Sequence, residues 1–366
     1  MCRALSRVSG TAGKTDNKGS LPHGHAGDNM NPLLAQIKVA GDPNAVDSFA
    51  ACITAIAETI TGHADYWYVE ALTGTSFSPC LNKGEDCIGW MVDGGNSARY
   101  DFIGRSLGID IARVEMEPGA PKGWIEEYKK DGALPEQARG YFESMKEVVE
   151  SDGYVIIKTW PAWSVLSGWD ADLAKLPFLT TPGFQAPVAS IWPPVNSTTF
   201  FALRASAPPG ELKKIAREAI RFAWEIASGQ ISNPDRELGE DVEFGGRLYG
   251  KVVEIAAGKY LCPGCREHRC FGRMVKRIHD GHQAAVQFLG YASEKVGSSG
   301  NSDVFESTIA SYAALQAASR KYLNWGSFGD RYEDSDFRRE IAGDFSRMNA
   351  LHDEATGRLR GLYEAM

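Results

Sequence analysis

Apolar positions recur along this chain at helical spacing in some stretches and at alternating spacing in others, and the two kinds of stretch are unevenly distributed. In residues 47–78, Phe49, Cys52, Ile53, Ile56 and Ile60 follow the i, i+3/i+4 rule and line one face of a helix. Asn44, Asp47 and Ser48 are good N-caps for it. A short second helix and a glycine turn follow. Residues 96–107 read as a helix stopped by Gly108, and 109–116 alternate like a strand. Pro135 suits the first turn of a helix running to about residue 151. Three strand candidates come next, at 154–160, 163–169 and 198–205, the first two joined by a tight turn at Pro161-Ala162. Between the second and third lies a Pro/Gly-rich loop.

From Pro209 the alternation disappears. Ile215, Ala219, Phe222 and Ile226 mark one amphipathic helix, and 247–257 another. Residues 274–296, 304–325 and 337–366 predict three longer helices with short polar links, as in an antiparallel bundle. Nothing after Ser206 reads as strand. The expectation is α+β: a disordered tail at 1–31, an α+β domain with a small antiparallel sheet at 32–206, and an all-helical domain at 207–366, divided near 207–210. Met30 is a second candidate start.

Length and composition narrow the function classes. At 366 residues with 43% hydrophobic and 23% charged residues, the chain can bury one large or two ordinary cores. A formal charge of −8 argues against non-specific nucleic-acid binding. No run of about 18 apolar residues exists to span a membrane, and no apolar signal core opens the chain. Seven unevenly spread cysteines suit reduced thiols or a metal better than a disulfide framework, which points to the cytoplasm.

Cys52 is the candidate reactive atom. A thiol one turn from a helix N-terminus feels the positive end of the dipole, which favours thiolate. Its place on an apolar stripe equally suits a small buried hydrophobe. Cys262-Pro-Gly-Cys265, followed by His268 and Cys270, is the densest cluster of soft ligands, and a CxxC on a Pro-Gly turn is a common zinc knuckle. A second CxxC or HxxxH is absent, so a redox or incidental thiol cluster is the alternative. Trp67, Trp160, Trp163 and Trp169 crowd the region after the first helix and around the hairpin. They predict either core packing or an aromatic wall for an apolar, planar or cationic ligand.

The order of elements, with the second strand of the hairpin ending in Ser167-Gly168-Trp169-Asp170, resembles the papain-like superfamily branch that holds double-glycine leader peptidases and the butirosin-biosynthesis acyltransferase. More narrowly, AACITAIAE, YVEALTGTSF and VLSGWDAD look like an uncharacterised branch with a butirosin-acyltransferase-like N-terminal domain and a helical C-terminal region. The likeness covers roughly 44–205, with a looser match in the helices beyond. It implies a papain-like N-terminal domain, a nucleophile at Cys52 and an acidic member at Asp170. The base position falls at Trp163, which cannot take a proton. His63 is no substitute along a continuous helix, being 11 residues beyond Cys52, about 16 Å away. Activation would then fall to the dipole, to Lys158, or to His268, His279 or His282.

The resemblance implies thiol-dependent acyl transfer, or amide or thioester hydrolysis, on a small molecule or peptide. The alternative is a non-catalytic papain-like protein that binds a ligand or partner, with the helices as a docking or homodimer surface. Zinc at Cys262–Cys270 is a third expectation, and no other cofactor is expected.

Overall fold

The computed structural model describes residues 47–82, 99–115, 136–151, 153–159, 162–166, 175–179, 185–187, 199–231, 242–257, 270–297, 300–324 and 331–366. The tail expected at 1–31 lies outside them.

Helix α1 (Ser48–Thr61) starts where the capping chemistry places it: the Asp47 carboxylate accepts from the Ala50 N–H at 2.9 Å. It ends at Gly62, whose φ of 81° few other residues adopt without strain. Helix α2 (Tyr66–Thr73) ends at Gly74 and runs through a 3-10 turn, Thr75–Phe77, into strand β1 (Cys80–Asn82). After α3 (Tyr100–Leu107), β2 (Ile109–Glu115) and α4 (Glu136–Glu150) come β3 (Tyr154–Thr159), β4 (Ala162–Leu166), β5 (Lys175–Leu179), β6 (Gln185–Pro187) and β7 (Thr199–Ala205). Helix α5 (Leu212–Ala227) and strand β8 (Val242–Phe244) lead to α6 (Arg247–Ala256), α7 (Cys270–Val296), α8 (Ser302–Arg320) and α9 (Ser335–Ala365).

Six strands form one antiparallel sheet in the order β2-β7-β3-β4-β5-β6. Central β3 reads Tyr154-Val155-Ile156-Ile157 and all four are buried, because α1 covers one face of the strand and α4 packs against it as well. Thr159 pairs with Ala162, which the sequence places in the turn rather than in the strand.

The chain is α+β, with three departures from expectation. Lys175–Leu179 and Gln185–Pro187 are strands where a loop was expected; Pro177 inside the first masks its strand character. Nor is the second half free of strand. Val242–Phe244 pairs with β1 through Cys80↔Phe244, a three-residue element too short to show a period and held by a partner far upstream. Finally, the change of character near 207–210 separates sheet from helices but does not interrupt the core. A single hydrophobic cluster joins Ile53 and Phe77 to Phe288, Leu315 and Leu359. The Tyr312 hydroxyl of α8 also donates to the Phe77 carbonyl at 3.1 Å.

At Gly74 the side chains of α5 press close on the backbone that follows α2. Its φ is 82°, and a Cβ there would lie 2.8 Å from both Ile226 Cδ1 and Phe222 Cδ1 of α5. Strain and overlap act together at this position, so Gly74→Ala is expected to cost about 2 kcal/mol of unfolding free energy. Equal denaturant midpoints for the variant and the parent would contradict this close approach.

Among the described residues, no helix is long and apolar enough to cross a membrane.

Candidate functional site

Helix α1 meets the sheet at its first turn. The Trp163 backbone N–H donates to Ser48 Oγ at 3.0 Å, and the Trp163 ring packs edge-on to Phe49 with centroids 5.0 Å apart. Phe201 of β7 closes the third side of this aromatic cluster. The position expected to hold a base is therefore filled by a ring in a sealed apolar contact.

Cys52, one turn further along α1, has 0% of its surface exposed. Burial pushes its thiol well above the ordinary range, and the nearby Asp47 carboxylate pushes it the same way. The dipole was expected to favour thiolate at this position. Burial and a like-signed neighbour outweigh a term worth about 1 kcal/mol, and the thiol stays protonated.

The other expected site residues are dispersed. Trp67 is half-buried on α2 and packs edge-on against Tyr68 and against Tyr291 of α7, away from the ring partners of Trp163. Trp160, Trp169, Asp170, Cys262, Cys265 and His268 lie outside the described residues. Cys270 opens α7, and its side chain is not among those described. Among the described residues, no three His, Cys, Asp or Glu side chains converge on a point that could hold a metal. His279 and His282 do not act as a pair. The first turns to α8, with Nδ1 3.1 Å from the Gln316 carbonyl, while the second enters the core.

What the structure does assemble is a buried charge cluster where α1, α2 and α7 meet. Arg277 of α7 places Nη2 2.7 Å from Asp47 Oδ2 and 3.2 Å from Thr75 Oγ1. Its Nη1 binds Glu70 Oε1. The Tyr66 hydroxyl donates to Asp280 Oδ2 at 2.7 Å and accepts the Asp47 N–H at 2.8 Å. Asp47 and Glu70 side chains are 0% exposed and Arg277 is 11% exposed.

The electrostatics follow from the count of charges. Three carboxylates surround one guanidinium, so full ionisation would leave excess negative charge in a low-dielectric site. Burial, partly opposed by Arg277, pushes Glu70 up to about 8. Burial also raises Asp280, against the Tyr66 hydrogen bond. Arg277 stays charged because Glu70 and Asp47 outweigh its own burial. The cluster thus retains protons that the same groups would give up in water.

Sequence reasoning missed this cluster, although a signal was present. Glu70 falls within a buried run, Val69-Glu70-Ala71-Leu72, where a carboxylate requires a partner. Nothing local identified that partner as Arg277, 207 residues later.

Beside the cluster lies a small cavity of about 20 Å3, whose wall includes Thr75, Ser76, Arg277, Gly281 and His282. His282 is 2% exposed, with Nε2 3.4 Å from the Tyr249 hydroxyl. Burial, assisted by His352 and His279, pushes it down to about 3, so the ring is neutral. His352 of α9 is equally buried and is pushed down to about 4.

A larger hollow of about 530 Å3 opens between the end of α5, the β8–α6 turn and α9. Ile231 and Phe244 give it apolar wall; Ser228, Gly246, Asp353 and Thr356 give it polar wall. Thr356 Oγ1 is buried and has no hydrogen-bond partner among the described residues.

No protein-family model matches the chain, and no curated protein matches it either.

Proposed function

We propose that this protein is a non-catalytic member of the papain-like class that binds a small molecule or peptide. The observation that carries this reading is the sealed Cys52: a thiol with no exposed surface, held protonated by burial, has neither a route to a carbonyl nor nucleophilic character. Trp163 packed on Phe49 supports it, since the partner position offers no proton acceptor. The hollow between α5, β8–α6 and α9 is the place for the ligand. Its volume falls in the range of about 300–1,000 Å3 common to small-molecule sites, and it combines apolar and polar wall.

A second reading, thiol-dependent acyl transfer through Cys52, draws on one contact. The Ser48–Trp163 hydrogen bond sets the first turn of α1 against β4, the adjacency that a helix nucleophile and a strand base require.

Alkylation separates the two. Treating the folded protein with iodoacetamide at pH 6 and mapping the adducts by mass spectrometry is expected to leave Cys52 unmodified until denaturant is added. Rapid, selective labelling of Cys52 in the folded protein would overturn the binding reading in favour of the transferase.

A further inference from the structure

Two residues that line the small cavity carry buried polar atoms without a hydrogen-bond partner among the described residues. Ser76 is 1% exposed and its Oγ has no hydrogen-bond partner among the described residues; His282 is 2% exposed and the same holds for its Nδ1. Both residues line the same 20 Å3 space. Burying a hydroxyl or an imidazole nitrogen without a partner costs about 1–3 kcal/mol each, and proteins rarely leave such groups orphaned.

The size of the space identifies the occupant. A cavity needs roughly 10–15 Å3 for the centre of one water, so 20 Å3 admits one and leaves no room for an organic ligand. Its wall is mixed: Pro79, Cys80 and Ile278 are apolar, but Thr75, Ser76, Arg277 and His282 bring polar groups that the wall of a dry cavity lacks. Gly281 keeps the space open: a Cβ there would stand 3.2 Å from the Ser76 Cα and 3.5 Å from the Ser76 carbonyl oxygen.

We infer that this cavity is the binding site of a single ordered water, bonded to Ser76 Oγ and His282 Nδ1. The neutral ring then has two coherent tautomers. With the proton on Nε2, His282 donates to the Tyr249 hydroxyl and Nδ1 accepts from the water. With the proton on Nδ1, the ring donates to the water and accepts from Tyr249. In either case the water joins the 3-10 turn after α2 to helix α7, beside the contact Arg277 makes with Thr75. This site is separate from the proposed ligand hollow, and its test does not depend on that reading.

Water oxygen-17 relaxation dispersion counts long-lived internal waters in the intact protein. Ser76→Val, which removes the hydroxyl and fills space with methyl groups, is expected to lower the count by one. A crystal structure of the parent protein at about 1.5 Å should show one peak within hydrogen-bond distance of both atoms. A count unchanged in Ser76→Val, or a parent cavity without density in which Ser76 bonds a protein atom instead, would overturn the inference. Should Ser76→Val fail to fold, the parent map alone decides it.

Discussion

Replacing Arg277 with methionine is expected to remove about 3–5 kcal/mol of stability, the largest single-site loss predicted for this chain. The side chain is 11% exposed and bridges Asp47 and Glu70, both at 0%, so its loss leaves buried carboxylates without a cation. Lost Coulomb attraction is the smaller part of the effect. Most of it is the cost of ionised oxygen left in a low-dielectric site, which Glu70 and Asp280 can relieve only by holding protons. Two companion variants follow from that. Arg277→Lys should recover little, because one ammonium cannot reach two carboxylates on different helices as a planar fork does. Glu70→Gln placed on Arg277→Met should cost less than in the parent, because Glu70 then holds its proton and only the parent has a guanidinium for its oxygen to accept from. Urea unfolding of the two single variants and the double closes the cycle. Strict additivity of the two substitutions would show that Arg277 and Glu70 do not interact as described.

How much of this was readable beforehand depended on the distance between the groups involved. The helix at residues 48–61 announced itself through Asp47, the apolar stripe and Gly62, all within one segment. The three long C-terminal helices did the same through their periodicity, with ends misplaced by a few residues. Strands β1 and β8 were invisible because each is three residues long and is specified by the other across the fold. Pro177 hid β5. At the candidate site, spacing placed Cys52 on the apolar face and admitted both a reactive thiol and a buried hydrophobe. Burial of that face against Trp163 and Phe201, which only the assembled sheet supplies, favours the second. Arg277 could not be linked to Glu70 from the chain alone, since α7 also carries Arg273 and Lys276 and nothing local marks the cation that turns inward.

Acid should destabilise the protein through two buried histidines, His282 of α7 and His352 of α9. His282 and His352 are both buried and neutral, pushed from 6.5 down to about 3 and about 4. A depressed histidine contributes stability that is fully present above the unfolded value and is lost as pH falls, because the unfolded chain takes up protons the native core refuses. Each such group costs about 1.4 kcal/mol per pH unit below 6.5. Glu70 works in the opposite direction: raised to about 8 from an ordinary 4.5, it favours the folded state at low pH and loses that contribution as pH rises through its folded value. Between pH 6.5 and 4.5 it offsets about one of these histidines; the raised Asp280 adds to that offset and the lowered His279 opposes it. Below 4.5 the unfolded glutamate is protonated too and the offset ends, leaving both histidines to act until His352 titrates near 4. Stability should therefore be greatest near pH 6.5 and fall steeply below 4.5. Replacing His352 with leucine removes one titrating group and leaves the Arg277 cluster untouched. The stability lost between pH 6 and pH 4.5, from urea midpoints, should then shrink by about 2 kcal/mol relative to the parent. The same pH dependence in both proteins would mean that the native core admits a charged ring at position 352.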